Sequence, residues 1–138
     1  MLTAMHITSI LKWLPGWRPR LAPSLYDLIP HADALPRSIP RTEALPAEAI
    51  TGTVRHPSHT TTSFLPIRPL RTEHWKDDWR RILEAYEKLL FLPPVDLIKV
   101  GPHYFVVDGH KRVAAARRIG AALDAIVVEL RLPSAAAA

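Results

Sequence analysis

The sequence predicts an α+β fold in which helices cover a mixed sheet. Three observations carry the expectation. Trp75, Trp79, Ile82, Leu83, Tyr86, Leu89 and Leu90 recur with helical spacing. Two apolar runs, 95–100 and 103–107, flank the turn signal Gly101-Pro102 and read as a hairpin. An alanine-rich helix then runs from Gly109 to Gly120, and a last apolar run, 125–130, reads as a strand.

Taken in order, residues 1–14 place Leu2, Met5, Ile7, Ile10, Leu11, Trp13 and Leu14 at amphipathic spacing. They lack a basic leader and a small-residue cleavage site, so they read as a helix or arm packed on the body rather than an export signal. A membrane-surface or partner-binding helix is the alternative, weakened by a polar face with Lys12 as its only full positive charge. Residues 15–40 are punctuated by Pro15, Pro19, Pro23, Pro30, Pro36 and Pro40, which exclude a long helix or a central strand. Here the expectation is an extended proline-rich N-terminal arm with one helical turn through Leu25, Tyr26, Leu28 and Ile29, capped by Ser24. Ala44 and Leu45 suggest a short strand, ended or held at an edge by Pro46. Residues 55–72 read as a polar loop. Thr72 is placed to cap the helix that follows. Asp77 and Asp78 lie early in it and Arg80, Arg81 and Lys88 later, which suits the helix dipole. Pro93 and Pro94 end it. Residues 133–138 read as a flexible tail.

Composition bounds the function. A chain of 138 residues, 48% hydrophobic and 22% charged, fits one globular domain. Uninterrupted apolar runs of four or five residues are far short of the roughly 20 that a membrane span needs. The absence of cysteine excludes disulfides, thiol nucleophiles and thiolate metal sites. Eight of the 14 prolines fall in the first 57 residues, so regular structure is expected mainly in the remainder. A net charge of +5 favours polyanionic partners, though weakly by itself.

The informative segment is Tyr104-Phe-Val-Val-Asp-Gly-His-Lys-Arg-Val-Ala-Ala-Ala-Arg-Arg-Ile-Gly120. A strand runs into glycine and then into a helix that opens with His110, Lys111 and Arg112. A helix N-terminus already carries roughly half a positive charge, so bases there cost a few tenths of a kcal/mol each. They fit if an anion docks on the unsatisfied N–H groups. Gly109 lets the backbone approach that anion, Arg112 can fork onto phosphate, and Lys111 supplies a point charge. The alternative is a solvated basic surface. Arg117 and Arg118, seven residues on from His110 and Lys111, extend a basic stripe that is either solvated or a nucleic-acid contact. Asp108 can orient a basic neighbour, meet a metal carried by a nucleotide, or cap a turn. His56 and His59 form a weak metal pattern with no carboxylate nearby in sequence, and no resident metal is expected. Trp75 and Trp79 are expected in the core, with base stacking the alternative.

The stretch from Pro93-Pro94 through the hairpin to Asp108-Gly109-His110-Lys111-Arg112 and Ile119-Gly120 resembles the core of the ParB/sulfiredoxin superfamily. Glu43-Ala-Leu-Pro-Ala-Glu-Ala-Ile50 is similar to that family's first strand and turn. The resemblance covers residues 41–132, with 1–40 as the arm. It implies a mixed sheet covered by helices, and ligand phosphates held by Gly109, Lys111 and Arg112. It also implies a loop, residues 52–59, over the same pocket, with Arg55 and His56 as further contacts. The implied ligand is a nucleoside triphosphate, ATP or CTP, with magnesium. His110 stands where sulfiredoxin has its catalytic cysteine, which excludes sulfinic acid reduction by that chemistry. His110 and Lys111 also replace the glutamate and first arginine that follow the glycine in chromosome-partitioning ParB. Few residues remain after Leu132 for the DNA-binding domain that follows this core in ParB. A serine-phosphorylating branch carries a similar Asp-Gly-His-His-Arg motif and a glutamate base near its first strand, for which Glu43 and Glu48 are the candidates. The expectation is a cytoplasmic nucleotide-binding domain. The alternatives are an accessory DNA-binding module using Arg117 and Arg118, and a small-molecule kinase.

Overall fold

The computed structural model describes residues 20–56, 59–67, 70–88 and 92–133. The amphipathic segment 1–14, the first two prolines of the arm, Leu89, Leu90 and most of the C-terminal tail lie outside the described residues. Five strands are present: β1 (Arg41–Pro46), β2 (Ile50–Thr53), β3 (Val95–Val100), β4 (His103–Asp108) and β5 (Ala122–Leu130). The helices are the one-turn α1 (Leu25–Leu28), α2 (Glu73–Glu87) and α3 (His110–Ile119). The α+β class expected from the sequence is the class observed.

The sheet is mixed, in the order β1-β5-β3-β4-β2. β5 pairs antiparallel with β1 and parallel with β3. β4 pairs antiparallel with β3, as the hairpin expectation required, and parallel with β2. β3 spans the expected range. β5 begins three residues earlier than its apolar run, because Ala122, Leu123 and Asp124 pair with Pro46, Leu45 and Ala44 of β1. β2 was not anticipated, since Ile-Thr-Gly-Thr is short and carries a glycine. That glycine has a packing reason: a Cβ on Gly52 would collide with the carbonyl oxygen of Pro23.

This contact shows what the described part of the proline-rich segment does. Residues 21–24 lie alongside β2. Ser24 bridges Thr53, Leu21 bridges Thr61, the Thr53 N–H donates to Pro23 O at 2.9 Å, and the Ala22 N–H donates to Thr60 O at 2.8 Å. Prolines are tolerated there because the pairing is local and at the sheet margin. Residues 25–35 then fold over one face of the sheet, where Leu25, Ala32 and Leu35 pack on Ile98, Val100, Phe105 and Leu130. Residues 20–40 are therefore integral to the fold rather than an extended arm.

The opposite face carries the larger core, in which Leu45, Ile50, Leu97, Val106, Leu123, Ala125 and Val127 meet Val113, Ala114 and Ala116 of α3. Val113 to Ala116 are buried in unbroken succession. A helix buried on more than one side must be small all round, which explains the alanines. α2 packs outside this layer. Thr72 caps it as expected, accepting from the Trp75 N–H at 3.2 Å. Trp79 and Tyr86 reach the edge of the core, while Trp75 stacks on Trp79 with ring centroids 5.6 Å apart. No described residue of α2 is fully buried, so the tryptophans line the margin of the core rather than its interior.

Candidate functional site

The strand-to-helix junction forms where the sequence placed it. β4 ends at Asp108, Gly109 adopts a left-handed conformation (φ 104°, ψ 26°), and α3 begins at His110. Only glycine fits at this turn. A Cβ would force positive φ on a branched backbone and would also lie 2.6 Å from Val95 Cγ1. The N-terminus of α3 has no side-chain cap and no acidic residue in its first turn. The N–H groups of His110, Lys111 and Arg112 therefore have no intrahelical partner and carry the positive end of the helix dipole.

Lys111 and Arg112 at this junction have internal partners, an arrangement that neither the docked-anion expectation nor its solvated alternative described. Lys111 Nζ donates to Asp78 Oδ2 of α2 at 3.0 Å. The same carboxylate lies 3.2 Å from Arg81 and 3.4 Å from His74, and the Lys111 hydrogen bond, with the charges of Lys111 and Arg81, holds Asp78 below the usual carboxylate range. Arg112 Nη1 donates to the carbonyls of Pro93 and Pro94 at 2.7 and 3.0 Å, and its Nη2 lies 3.6 Å from Asp108 Oδ2. Arg112 thus pins the proline pair that leads into β3. Lys111 ties α3 to α2, reinforced by the Tyr86 hydroxyl donating to Arg112 O at 3.3 Å.

His110 points inward and is 4% exposed. Its Nε2 lies 2.6 Å from Thr53 Oγ1, which also accepts the Arg55 N–H at 2.9 Å, while Nδ1 is buried without a partner. Burial, with Arg55 adding positive charge nearby, pushes the imidazole down to about 3, against a smaller opposing pull from Asp108. His110 is therefore neutral at physiological pH and serves as a hydrogen-bonded anchor rather than a cation. Through Thr53 it fixes the backbone of the segment that carries Arg55.

Arg55 lies beside the junction and is unpaired among the described residues. Its guanidinium makes no hydrogen bond or ion pair with the described residues. Partial burial lowers its pKa, and Asp108 opposes that shift. Arg55 and His56 share the wall of an open depression of about 320 Å³ with Ser24, Tyr26, Asp27 and Val54. The loop after β2 thus brings Arg55 to the junction, and the depression joins it to α1. The His56 ring also lies 5.1 Å from that of His59.

The other candidates lie elsewhere. Arg117 does not continue a solvent-facing stripe. Its guanidinium donates to Thr62 O at 2.7 Å and to Ala47 O and Ile50 O at 3.3 Å, and its carbon centre lies 4.8 Å over the Phe64 ring. It clamps the loop onto β2, and burial depresses its pKa. Arg118 is exposed. Glu43 accepts from Arg41 Nε at 3.0 Å and from the Tyr104 hydroxyl at 2.9 Å. Tyr104 lies near the start of β4, roughly 13 Å along the strand from Asp108 at about 3.3 Å per residue. Glu48 sits in the turn between β1 and β2, in the field of Arg117. Neither glutamate is brought to the junction, so neither is placed as a base there. Among the described residues no three His, Asp or Glu side chains group to hold a metal, and no helix is long and apolar enough to cross a membrane.

Sequence reasoning missed Thr53, Asp27 and the Asp78 brace. Asp78 had one legible signal, its spacing from His74 and Arg81 along α2. Its tie to Lys111 crosses 33 residues and has no local signature.

The geometry defines an α+β domain with a glycine-hinged strand-to-helix junction on a five-stranded mixed sheet. No family model and no curated protein matches the chain. Among solved structures it is similar to sulfiredoxin from Arabidopsis thaliana, at 18% identity over 63% of this chain and 83% of that one, with a TM-score of 0.43.

Proposed function

We propose that this chain binds a phosphate-bearing ligand, a nucleoside triphosphate or a close relative, at the start of α3. One observation carries the reading: a helix N-terminus with no side-chain cap and no acidic residue in its first turn, beside an Arg55 that is unpaired among the described residues. Phosphate oxygens would accept the N–H groups of residues 110–112 and the Arg55 guanidinium. In this reading Lys111 and Arg112 are struts that hold the junction in shape, and their charges reach the ligand only through space. Asp108, largely exposed, is the carboxylate placed to meet a magnesium ion travelling with the phosphates. The reading is one of binding, since Glu43 and Glu48 stand away from the junction.

Calorimetric titration of the purified chain with ATP, CTP, GTP, UTP and tripolyphosphate tests it. Binding tighter than millimolar is expected for the wild type. Arg55→Ala is expected to weaken it roughly 10- to 100-fold, the loss of one charge-assisted contact. No binding by the wild type would overturn the proposal, as would equal binding by wild type and Arg55→Ala.

A further inference from the structure

The depression beside Arg55 has a second charged residue that no described residue pairs with. Asp27, on the exposed side of α1, makes no ion pair or side-chain hydrogen bond with the described residues, and it lines the same hollow as Arg55. The two opposite charges do not pair with each other. Val54 and Tyr26 line the hollow too; the Tyr26 hydroxyl is tied to Asp33 at 2.8 Å, and the residue stays 37% exposed. A volume of about 320 Å³ lies at the lower end of the range for small-molecule sites. The hollow thus offers an aromatic side chain, an apolar wall and a carboxylate, and it shares Arg55 with the proposed phosphate site.

Resting on the phosphate reading above, we propose that this hollow takes the base of the same nucleotide and selects guanine. The selection follows from the chemistry of Asp27. An ionised carboxylate only accepts hydrogen bonds, so the edge that faces it must donate. Guanine presents a ring N–H and an amino group side by side, which match the two carboxylate oxygens. Adenine and cytosine present an amino group next to a ring nitrogen whose lone pair would face the carboxylate. Uracil presents one N–H between two carbonyls. Tyr26 would supply a stacking face, which by itself tolerates every base. Discrimination therefore rests on Asp27, and anchoring on Arg55.

The test is titration of the full chain and of Asp27→Asn with GTP, ATP, CTP, UTP and tripolyphosphate, with circular dichroism to confirm folding. GTP is expected to bind roughly 10-fold or more tighter than the other nucleotides, the scale of one lost charged hydrogen bond. Asp27→Asn should abolish that preference without weakening tripolyphosphate binding. If all four nucleotides match tripolyphosphate, the hollow takes no base and only the phosphate site stands. A preference for another base, or a GTP preference that survives Asp27→Asn, overturns the assignment of Asp27. If nothing binds, tripolyphosphate included, the phosphate reading fails as well.

Discussion

Acidification should destabilise this protein through His110 before most of its carboxylates are protonated. The imidazole is buried, bonded to Thr53 Oγ1 at 2.6 Å, and depressed to about 3. In the unfolded chain it returns to about 6.5. Between these values the unfolded state binds a proton that the folded state refuses, so stability rises with pH across this window and is lost as pH falls. At pH 5 the unfolded state gains about 2 kcal/mol relative to pH 7, from about 1.4 kcal/mol per unit over the 1.5 units below 6.5. That is a large fraction of the 5–15 kcal/mol typical of a domain. The assay is urea unfolding at pH 7 and pH 5, for wild type and for His110→Gln, which keeps a polar group near Thr53 and removes the titration. The wild-type midpoint should fall by about 1 M more than that of the variant, for an m-value near 2 kcal/mol/M. Equal shifts in both proteins would refute the reasoning, as would an NMR titration placing the His110 imidazole between pH 6 and 7.

Two further substitutions probe the junction turn and the Arg117 clamp on the loop. Gly109→Ala should cost about 2–5 kcal/mol, summing positive-φ strain with the clash on Val95 Cγ1, and thermal unfolding reads it directly. Arg117→Ala should lower stability by about 2–4 kcal/mol, because it frees three carbonyls and uncovers Phe64, and it should leave tripolyphosphate affinity unchanged. A large loss of nucleic-acid retention at low salt, with stability intact, would instead return Arg117 to the stripe.

Much of the fold was legible where local signals agree. The capping threonine and period of α2, the Gly-Pro turn of the hairpin, and the glycines that bound α3 all act within a few residues of where they are read. The arm was not legible. Prolines forbid regular structure but do not say what an irregular segment packs against, and Leu25, Ala32 and Leu35 have no periodicity to reveal that they cover a sheet face. The candidate site divides in the same way. Gly109 and the bare start of α3 follow from the motif. The partners of Lys111, Arg112 and Arg117 do not, because an arginine aimed at backbone carbonyls 18 to 70 residues away looks in sequence like one aimed at solvent or phosphate. The heptad spacing of Arg117 from His110 correctly puts both on one side of α3, but that side packs against the loop and β2.

The most direct measurement of the central claim is amide NMR of the isotopically labelled chain during addition of tripolyphosphate. Saturable shifts concentrated at the amides of His110, Lys111 and Arg112 and at the Arg55 side chain, and weakened in Arg55→Ala, are the expected result. Shifts scattered over exposed lysines and arginines, or none at millimolar concentrations, would contradict an anion site at the start of α3.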